Sequence, residues 1–215
     1  GLNTKTNKIG YVAAMGLDNS EVTGGIDAFA LGIYSVNPDA EVYVKVTNSW
    51  YDPKAEEEAA RKLLDMNCDV IAQHCDTVYP QTLAQQKGVY SIGYNSDMSK
   101  EAPEACLCSV IWNWSAYYTS AVQSVIDGTW DGSNYYGGMN ENLVSITPIA
   151  DFAAAATKEK VNMAKQQILS GKNGVFDGVI KTNTGAEVGT AGKTLEDSVI
   201  TGGINWYFKT VKVIE

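Results

Sequence analysis

The sequence predicts an α/β fold in which a parallel sheet is flanked by helices. Short apolar runs alternate with segments of helical period, and this alternation repeats at intervals of about thirty residues. Such a pattern is typical of right-handed crossovers between parallel strands. With 215 residues, 45% of them hydrophobic, the chain is long enough to bury a substantial core.

The first hundred residues supply the regular part of this pattern. Strands are predicted at 7–14, 41–46, 69–74 and 89–94. The first helix follows a cap at Asn19 or Ser20, after which apolar residues recur at helical spacing. The second helix has Asp52 as its N-cap and Pro53 at the first helical position, where a missing N–H costs nothing. A short helix closed by Gly88 precedes the fourth strand.

The pattern changes after Pro103. Further strands are predicted at 105–111 and 143–149, and further helices at 114–128 and 157–171. A loop rich in Gly and Asn separates the first of these helices from the strand that follows it. The chain ends in an alternating strand whose predicted packed positions are Trp206, Phe208, Val211 and Val213.

Charge and composition exclude several classes of partner. A formal charge of −9 and a pI near 4.6, without any cluster of Lys and Arg, argue against nucleic acid. No run approaches the roughly 20 apolar residues of a membrane span. The cysteines are interpreted as reduced, buried small hydrophobes, because their spacing is that of neither a disulfide framework nor a closed metal site; they are Cys68, Cys75, Cys106 and Cys108.

The stretch "SVIWNWSAYY" holds two kinds of aromatic residue. Trp114, Tyr117 and Tyr118 begin a stripe that keeps the helical period as far as residue 126, which predicts the buried face of a helix. Trp112 precedes the helix and lies off this stripe. It is either ordinary core or an indole whose flat face stacks on a planar ligand.

Candidate binding residues follow several predicted strands at their carboxyl ends, which meet at one edge of a parallel sheet. Trp50 is either a hydrophobic staple for the second helix or a wall of the site. His74 and Asp76 follow the third strand, Asp97 follows the fourth, and Trp112 follows the next. Two flat apolar groups with a few polar ones suit an uncharged ring that carries donors and acceptors.

The residues expected for catalysis are missing. His74 is the only histidine, and no G-x-S-x-G motif surrounds a serine. The segment 188–194 resembles the end of a phosphate loop, but Glu187 stands where its first glycine belongs. Neither an enzyme nor a cofactor nor a metal is predicted.

The chain resembles the basic-membrane-protein family over most of its length. Members are extracytoplasmic solute-binding lipoproteins of ATP-driven importers, and characterised members bind purine nucleosides or bases. The resemblance lies in five blocks: "NKIGYVAA", "GIDAFALGIYSVNPDAEV", "TNSWYDPKAEEEAARKLLDMNCDVIAQHCDT", "GVYSIGYNSDMS" and "CSVIWNWSAYYTSAVQSVIDGTW".

The resemblance implies a two-lobed fold of the type I periplasmic-binding-protein class, with this chain forming mainly the C-terminal lobe. Residues 1–108 would be the α/β core of that lobe, 109–147 would cross to an absent N-terminal lobe, and 148–215 would return. The start of the chain matches the linker before the second lobe, so a fragment of a longer protein is expected. The apolar face of the 109–128 helix would then lack its partner and drive self-association.

Site residues are carried over from the family by position. Trp50 matches an aromatic residue that contacts the base, and Asp97 lies in a block that supplies a carboxylate to the bound nucleoside. Asn95 replaces the first acid of that block. Trp112 stands where nucleoside-binding relatives direct a lysine toward the sugar, which favours a free nucleobase over its riboside.

The expected function is therefore the extracytoplasmic solute-binding component of an ABC importer, lipid-anchored or periplasmic, whose ligand is a purine base such as adenine or a nucleoside. Its other partner would be the permease in the membrane. The alternatives are a ligand-sensing module of a regulator, a sugar-binding protein of the same fold, and an enzyme that acts on nucleosides.

Overall fold

The computed structural model describes residues 1–215, which form nine strands and six helices. The strands are β1 (Lys8–Ala13), β2 (Glu41–Val46), β3 (Val70–Gln73), β4 (Tyr90–Asn95), β5 (Cys106–Trp112), β6 (Val144–Ile146), β7 (Asp177–Lys181), β8 (Glu187–Thr194) and β9 (Val211–Ile214). The helices are α1 (Ser20–Val36), α2 (Pro53–Asp65), α3 (Tyr79–Gln86), α4 (Ser115–Ile126), α5 (Thr157–Leu169) and α6 (Asp197–Gly202).

Seven strands form one sheet in the order β6-β5-β4-β3-β1-β2-β9, and β7 and β8 form a separate hairpin. Within the large sheet every pair is parallel except β5 with β6. The predicted α/β fold is thereby confirmed. The chain passes from β1 to β2 on one side and then to β3 on the other, so the strand order reverses between β1 and β3. Open α/β sheets bind ligands at such a switch point, beyond the carboxyl ends of the strands.

The two predicted helix starts are confirmed. The Asn19 side chain accepts a hydrogen bond from the Val22 N–H at 3.1 Å. The Asp52 carboxylate accepts from the N–H groups of Lys54 and Ala55, with proline at the first helical position. Each cap pairs first-turn N–H groups that have no partner inside the helix, which is typically worth ~1 kcal/mol.

The main core lies on both faces of the sheet centre. On one face α1 packs against β1, where the Tyr11 and Phe29 rings meet edge to face at 5.4 Å. On the other face α2 approaches so closely that a Cβ at Gly10 would lie 3.0 Å from Leu63 Cβ and 2.9 Å from Ile71 Cδ1. Glycine at this position therefore permits the helix to pack directly onto the backbone of β1.

The predicted burial of the α4 stripe is wrong. The helix forms, but none of its residues is buried. Five large apolar side chains of the stripe are between 46% and 72% exposed. They are Trp114, which immediately precedes the helix, and Tyr118, Val122, Val125 and Ile126. A helical period buries an apolar stripe only where another element covers it, and no strand or helix of this chain lies over α4.

The C-terminal strand is shorter than predicted. β9 pairs in parallel with β2 and begins at Val211. Phe208 and Val211 are buried as expected, whereas Trp206 is half-buried outside the strand and Val213 is 48% exposed. β9 is the edge strand of the sheet, and the layer that covers Val211 does not extend to Val213.

The four cysteines are free thiols. Burial raises the pKa of Cys68, Cys75 and Cys108 to about 12, so these groups are protonated at neutral pH. No helix combines the length and the apolar composition needed to cross a lipid bilayer.

Candidate ligand-binding site

The carboxyl ends of five adjacent strands, β5-β4-β3-β1-β2, line one edge of the sheet. Trp50 lies in the loop after β2, His74 and Asp76 follow β3, Asp97 follows β4, and Trp112 is the last residue of β5. All five predicted site residues therefore lie along this edge.

His74 lies at the switch point between β1 and β3 and is only 6% exposed. Its ring is 4.3 Å from the Tyr94 ring, 6.1 Å from the Trp50 ring and 6.2 Å from the Tyr11 ring, measured between centroids. Its Nδ1 lies 3.1 Å from the Tyr11 hydroxyl. Burial lowers the pKa of His74 to about 4, so the ring is neutral at pH 7.

Trp50 is half-buried against the main core and presents its ring at 81° to that of His74. Its carbonyl oxygen accepts a hydrogen bond from the Asp76 N–H at 2.9 Å. The loop after β2 is thereby joined to the loop after β3. The Trp50 side chain both packs on the core and borders His74.

Tyr94 and Trp112 continue the aromatic surface on the other side of His74. Burial raises the pKa of Tyr94 to about 12, with the nearby Glu21 acting in the same direction and the Trp112 side chain acting against it. The Tyr94 hydroxyl also donates to Glu21 Oε1 at 3.5 Å. The Trp112 ring stacks on Trp114 at 5.3 Å and 18°.

The four rings of Trp50, His74, Tyr94 and Trp112 form a row along the sheet edge, called here the aromatic row. Trp50 lies beside His74 at one end, and Trp112 lies at the other, on β5, the strand next to Tyr94 of β4. The two indoles are therefore not the two faces of a single sandwich within this chain. A planar ligand on the row would contact one indole together with the ring beside it.

Asp76 is exposed, and its carboxylate accepts a hydrogen bond from the Asn95 amide at 3.3 Å. Asn95 adopts a left-handed backbone conformation with φ of 68°, which asparagine tolerates better than most residues. A second acid at position 95 would place two carboxylates together and repel Asp76. The asparagine instead pairs with Asp76 through its amide, beside the aromatic row.

Asp97 does not join the other four residues. Its carboxylate accepts from the Ser99 N–H at 3.0 Å within its own exposed loop. Hydrogen bonds from Ser99 lower the pKa of Asp97, with a smaller contribution from Lys100. The described contacts place Asp97 at the rim of the edge rather than in the aromatic row.

Sequence reasoning missed Tyr11, Tyr94 and Glu21. Tyr11 and Tyr94 come from β1 and β4, which are not adjacent, and both contact His74, which follows β3, the strand between them. The alternation of side chains along a strand predicts which face of the sheet Tyr11 and Tyr94 occupy. Only the register between the strands brings both of them to His74.

The aromatic row offers flat apolar faces, one neutral imidazole and carboxylates at its border. No lysine or arginine hydrogen-bonds or forms an ion pair with a residue of the row. No group of three or more His, Cys, Asp or Glu side chains is placed to hold a metal ion. This arrangement suits stacking and hydrogen bonding of an uncharged planar molecule.

Comparison with protein families gives one match. The family described as "Bmp: ABC transporter substrate-binding protein PnrA-like" matches residues 1–175. Its description is that of binding proteins, not of enzymes.

Two curated proteins share 36% identity with the chain. One is a purine-binding protein of Brucella abortus, aligned over 204 residues that cover 95% of this chain and 57% of the relative. The other is a putative ABC transporter glucose-binding protein of Haloferax volcanii, aligned over 178 residues that cover 83% of this chain and 45% of the relative. The chain thus spans about half the length of these relatives. Nothing in their descriptions supports the self-association expected from the exposed α4 stripe.

The fold also matches a solved structure. An ABC transporter solute-binding protein of Conexibacter woesei superposes with a TM-score of 0.62 at 21% identity, over 77% of this chain and 56% of that one. The likeness confirms the periplasmic-binding-protein-like α/β fold expected from the sequence.

Proposed function

Because the chain belongs to the PnrA-like family of ABC transporter substrate-binding proteins, we propose that it binds a purine base or nucleoside outside the cytoplasm and passes it to a membrane permease. The observation that carries this proposal is the aromatic row around neutral His74 at the switch point of the sheet. A purine is a flat, uncharged ring whose edge carries both donors and acceptors, and the row provides matching surfaces.

The purine assignment has two supports. The first is chemical: the row has aromatic faces for stacking and no cation that would favour a phosphate or carboxylate. The second is the relative from Brucella abortus, which is described as a purine-binding protein. Trp50, His74, Asp76 and Trp112 are the proposed ligand contacts, and Asp97 is proposed as a contact from the rim.

A free base is favoured over its riboside. Trp112 presents an indole where nucleoside-binding members of the family carry a lysine toward the sugar. An indole offers one N–H and a flat face, whereas a lysine offers three donors and a charge for ribose hydroxyls. This exchange weakens sugar recognition while strengthening stacking.

The whole receptor is proposed to have two lobes, with 109–147 crossing to the first. The exposed apolar side chains of α4 are in keeping with a helix that packs on a lobe outside this chain. An extracytoplasmic position, held at the membrane by a lipid anchor or free in a periplasm, follows from the transport role of the family.

Sugar binding is the second candidate, because the relative from Haloferax volcanii is described as a putative glucose-binding protein. Indoles also pack on the apolar faces of sugars, so aromatic residues alone do not decide between the two ligands. The polar groups decide, since a hexose needs many hydrogen-bonding side chains and the aromatic row has few.

Isothermal titration calorimetry of the chain distinguishes these ligands. The panel is adenine, guanine, hypoxanthine, their ribosides and glucose. We expect a purine base to bind, and Trp50→Ala to weaken that binding roughly tenfold or more, since one base–aromatic stack is worth ~1–3 kcal/mol. Trp130→Ala is the matched control, because Trp130 is exposed in the loop after α4 and should leave binding unchanged.

The variant Trp112→Lys tests the choice between base and riboside. It should shift the preference toward the riboside, as the lysine regains contacts with sugar hydroxyls. Heat from glucose alone would refute the purine assignment. If Trp112→Lys and the unaltered chain show the same ratio of affinities for base and riboside, Trp112 does not set the choice between them.

A further inference from the structure

The His74 ring is closely packed between aromatic side chains and α1. The rings of Trp50, Tyr94 and Tyr11 surround it. α1 packs directly against the ring at Gly25. A Cβ at this position would lie 2.6 Å from His74 Cε1, closer than real Cβ atoms approach. With the ring in this place, position 25 accommodates His74 only as glycine.

The hydrogen bond between Tyr11 and His74 has only one satisfactory direction. The Tyr11 side chain is 5% exposed, and its hydroxyl lies 3.1 Å from His74 Nδ1 and forms no other hydrogen bond. If Nδ1 carried the proton and donated it, the Tyr11 O–H would remain buried without an acceptor, which proteins rarely tolerate. The Tyr11 hydroxyl therefore donates, and Nδ1 accepts.

The ring itself is neutral. No charged side chain opposes the burial that lowers the pKa of His74 to about 4. The titratable groups next to it are the phenols of Tyr11 and Tyr94, whose pKa values burial raises, so both remain uncharged at pH 7. A neutral imidazole with a bare Nδ1 carries its single proton on Nε2.

The Nε2 edge is the part of the ring left for a ligand. Nε2 forms no hydrogen bond within the chain. Four polar side-chain atoms are fully buried without a hydrogen-bond partner: Asp27 Oδ2, Gln81 Oε1, Ser91 Oγ and Thr210 Oγ1. His74 Nε2 is not among them. The small accessible fraction of His74 therefore includes Nε2.

We propose that Tyr11 is a positioning residue that fixes His74 as the Nε2–H tautomer, so that the site presents a single donor to an acceptor atom of the ligand. The inference rests on the proposed function and sharpens it. The ligand atom that faces His74 is an unprotonated ring nitrogen or a carbonyl oxygen, as purines offer along their edges. A ligand that turns an N–H group toward Nε2 would leave two donors facing each other and would be rejected.

The tautomer can be measured without any ligand, because His74 is the only histidine of the chain. Two-bond proton–nitrogen correlation spectra distinguish a protonated ring nitrogen from a bare one. At pH 7 we expect a protonated Nε2 and a bare Nδ1. In Tyr11→Phe a measurable Nδ1–H population should appear, whereas Tyr34→Phe, a matched loss of a remote phenol hydroxyl, should leave the spectrum unchanged.

Two spectra would overturn the tautomer assignment. A protonated Nδ1 in the unaltered chain would show that Tyr11 accepts rather than donates. A spectrum of Tyr11→Phe identical to that of the unaltered chain would show that Tyr11 does not set the tautomer. Since no ligand is present, neither result depends on the proposed function.

The donor role is tested with adenine by calorimetry. In His74→Gln the amide N–H reaches the place of Nε2, whereas in His74→Asn it reaches only the place of Nδ1. We expect His74→Gln to bind adenine within about fivefold of the unaltered chain and His74→Asn to lose roughly tenfold or more, the usual effect of one hydrogen bond. Thermal unfolding of both variants confirms that each is folded.

The outcomes separate the two claims. Equal adenine affinity of the Gln and Asn variants would refute the donor role and leave purine binding in place. If no purine of the panel binds, the proposed function and the donor role both fail, while the spectra still decide whether Tyr11 controls the tautomer.

Discussion

Asp27 is an acid buried inside α1 without a cation beside it. Its side chain is fully buried, Oδ1 accepts from the Phe208 N–H at 2.7 Å, and Oδ2 has no partner. Burial raises its pKa from 3.8 to about 8, although the hydrogen bond from Phe208 acts in the opposite direction. The residue is therefore protonated in the folded chain at neutral pH, and it joins α1 to the segment before β9.

The raised pKa of Asp27 makes the free energy of unfolding depend on pH. Between pH 3.8 and about 8 the folded chain holds a proton on Asp27 that the unfolded chain has lost. The stabilising contribution of Asp27 to the free energy of unfolding is thus fully present below pH 3.8 and is lost as the pH rises through 8.

Asp27→Asn should remove this dependence, since the amide oxygen still accepts from Phe208 and cannot ionise. We expect the variant to match the unaltered chain at pH 4 and to be more stable by on the order of 1–4 kcal/mol at pH 7.5. Urea unfolding at the two pH values measures both differences. A variant less stable at pH 7.5 than the unaltered chain would show that Asp27 is ionised in the fold.

At the scale of elements, the first turn of α2 organises two loops of the site. Glu56 is fully buried, with Oε1 accepting from the Asp52 N–H and Oε2 accepting from both the N–H and the hydroxyl of Thr77. Burial raises the pKa of Glu56, and these hydrogen bonds act against that rise. Through Thr77 the helix holds the loop that carries His74, which the backbone bond from Asp76 then ties to Trp50.

Replacing Glu56 should therefore affect stability and the site together. Glu56→Ala leaves the donors of Asp52 and Thr77 without an acceptor. We expect the free energy of unfolding, measured with urea, to fall by about 2–4 kcal/mol, and adenine to bind more weakly. The matched control is Glu57→Ala, one residue along on the exposed side, where only an ion pair with Arg61 is lost and the change should stay below about 0.5 kcal/mol. Similar losses in the two variants would contradict the proposed role of Glu56.

The helices also show where sequence reasoning succeeds. The caps at Asn19 and Asp52 were predictable because they depend on residues a few positions apart. The exposure of α4 was not predictable from its period, because the period records an apolar face and not whether another element covers it. The contacts of His74 with Tyr11 and Tyr94 depend on the register of three strands, which no local pattern encodes.

At the scale of the whole molecule, order is concentrated at the sheet centre. β1 and β3 are buried on both faces between α1 and α2, whereas α4 has no buried residue and α5 has only Thr157. The candidate site lies where the well-packed region ends, with His74 buried at its centre and Asp76 and Asp97 exposed at its border.

Hydrogen exchange followed by mass spectrometry should show this gradient. We expect the amides of β1 and β3 to exchange only through global unfolding, and those of α4 to exchange at least about a hundredfold faster, because local opening of α4 exposes little apolar surface. Pepsin fragments that cover 115–126 and 8–13 give the comparison directly. Equal protection of the two segments would indicate a cover over α4 that the chain does not reveal.

The contact of Gly25 with His74 limits how this protein can diverge. Any side chain acquired at position 25 would collide with the imidazole, and loss of the imidazole would open a void beneath the helix. A larger residue at position 25 therefore requires a smaller one at position 74, in a paired replacement spanning forty-nine positions of the chain.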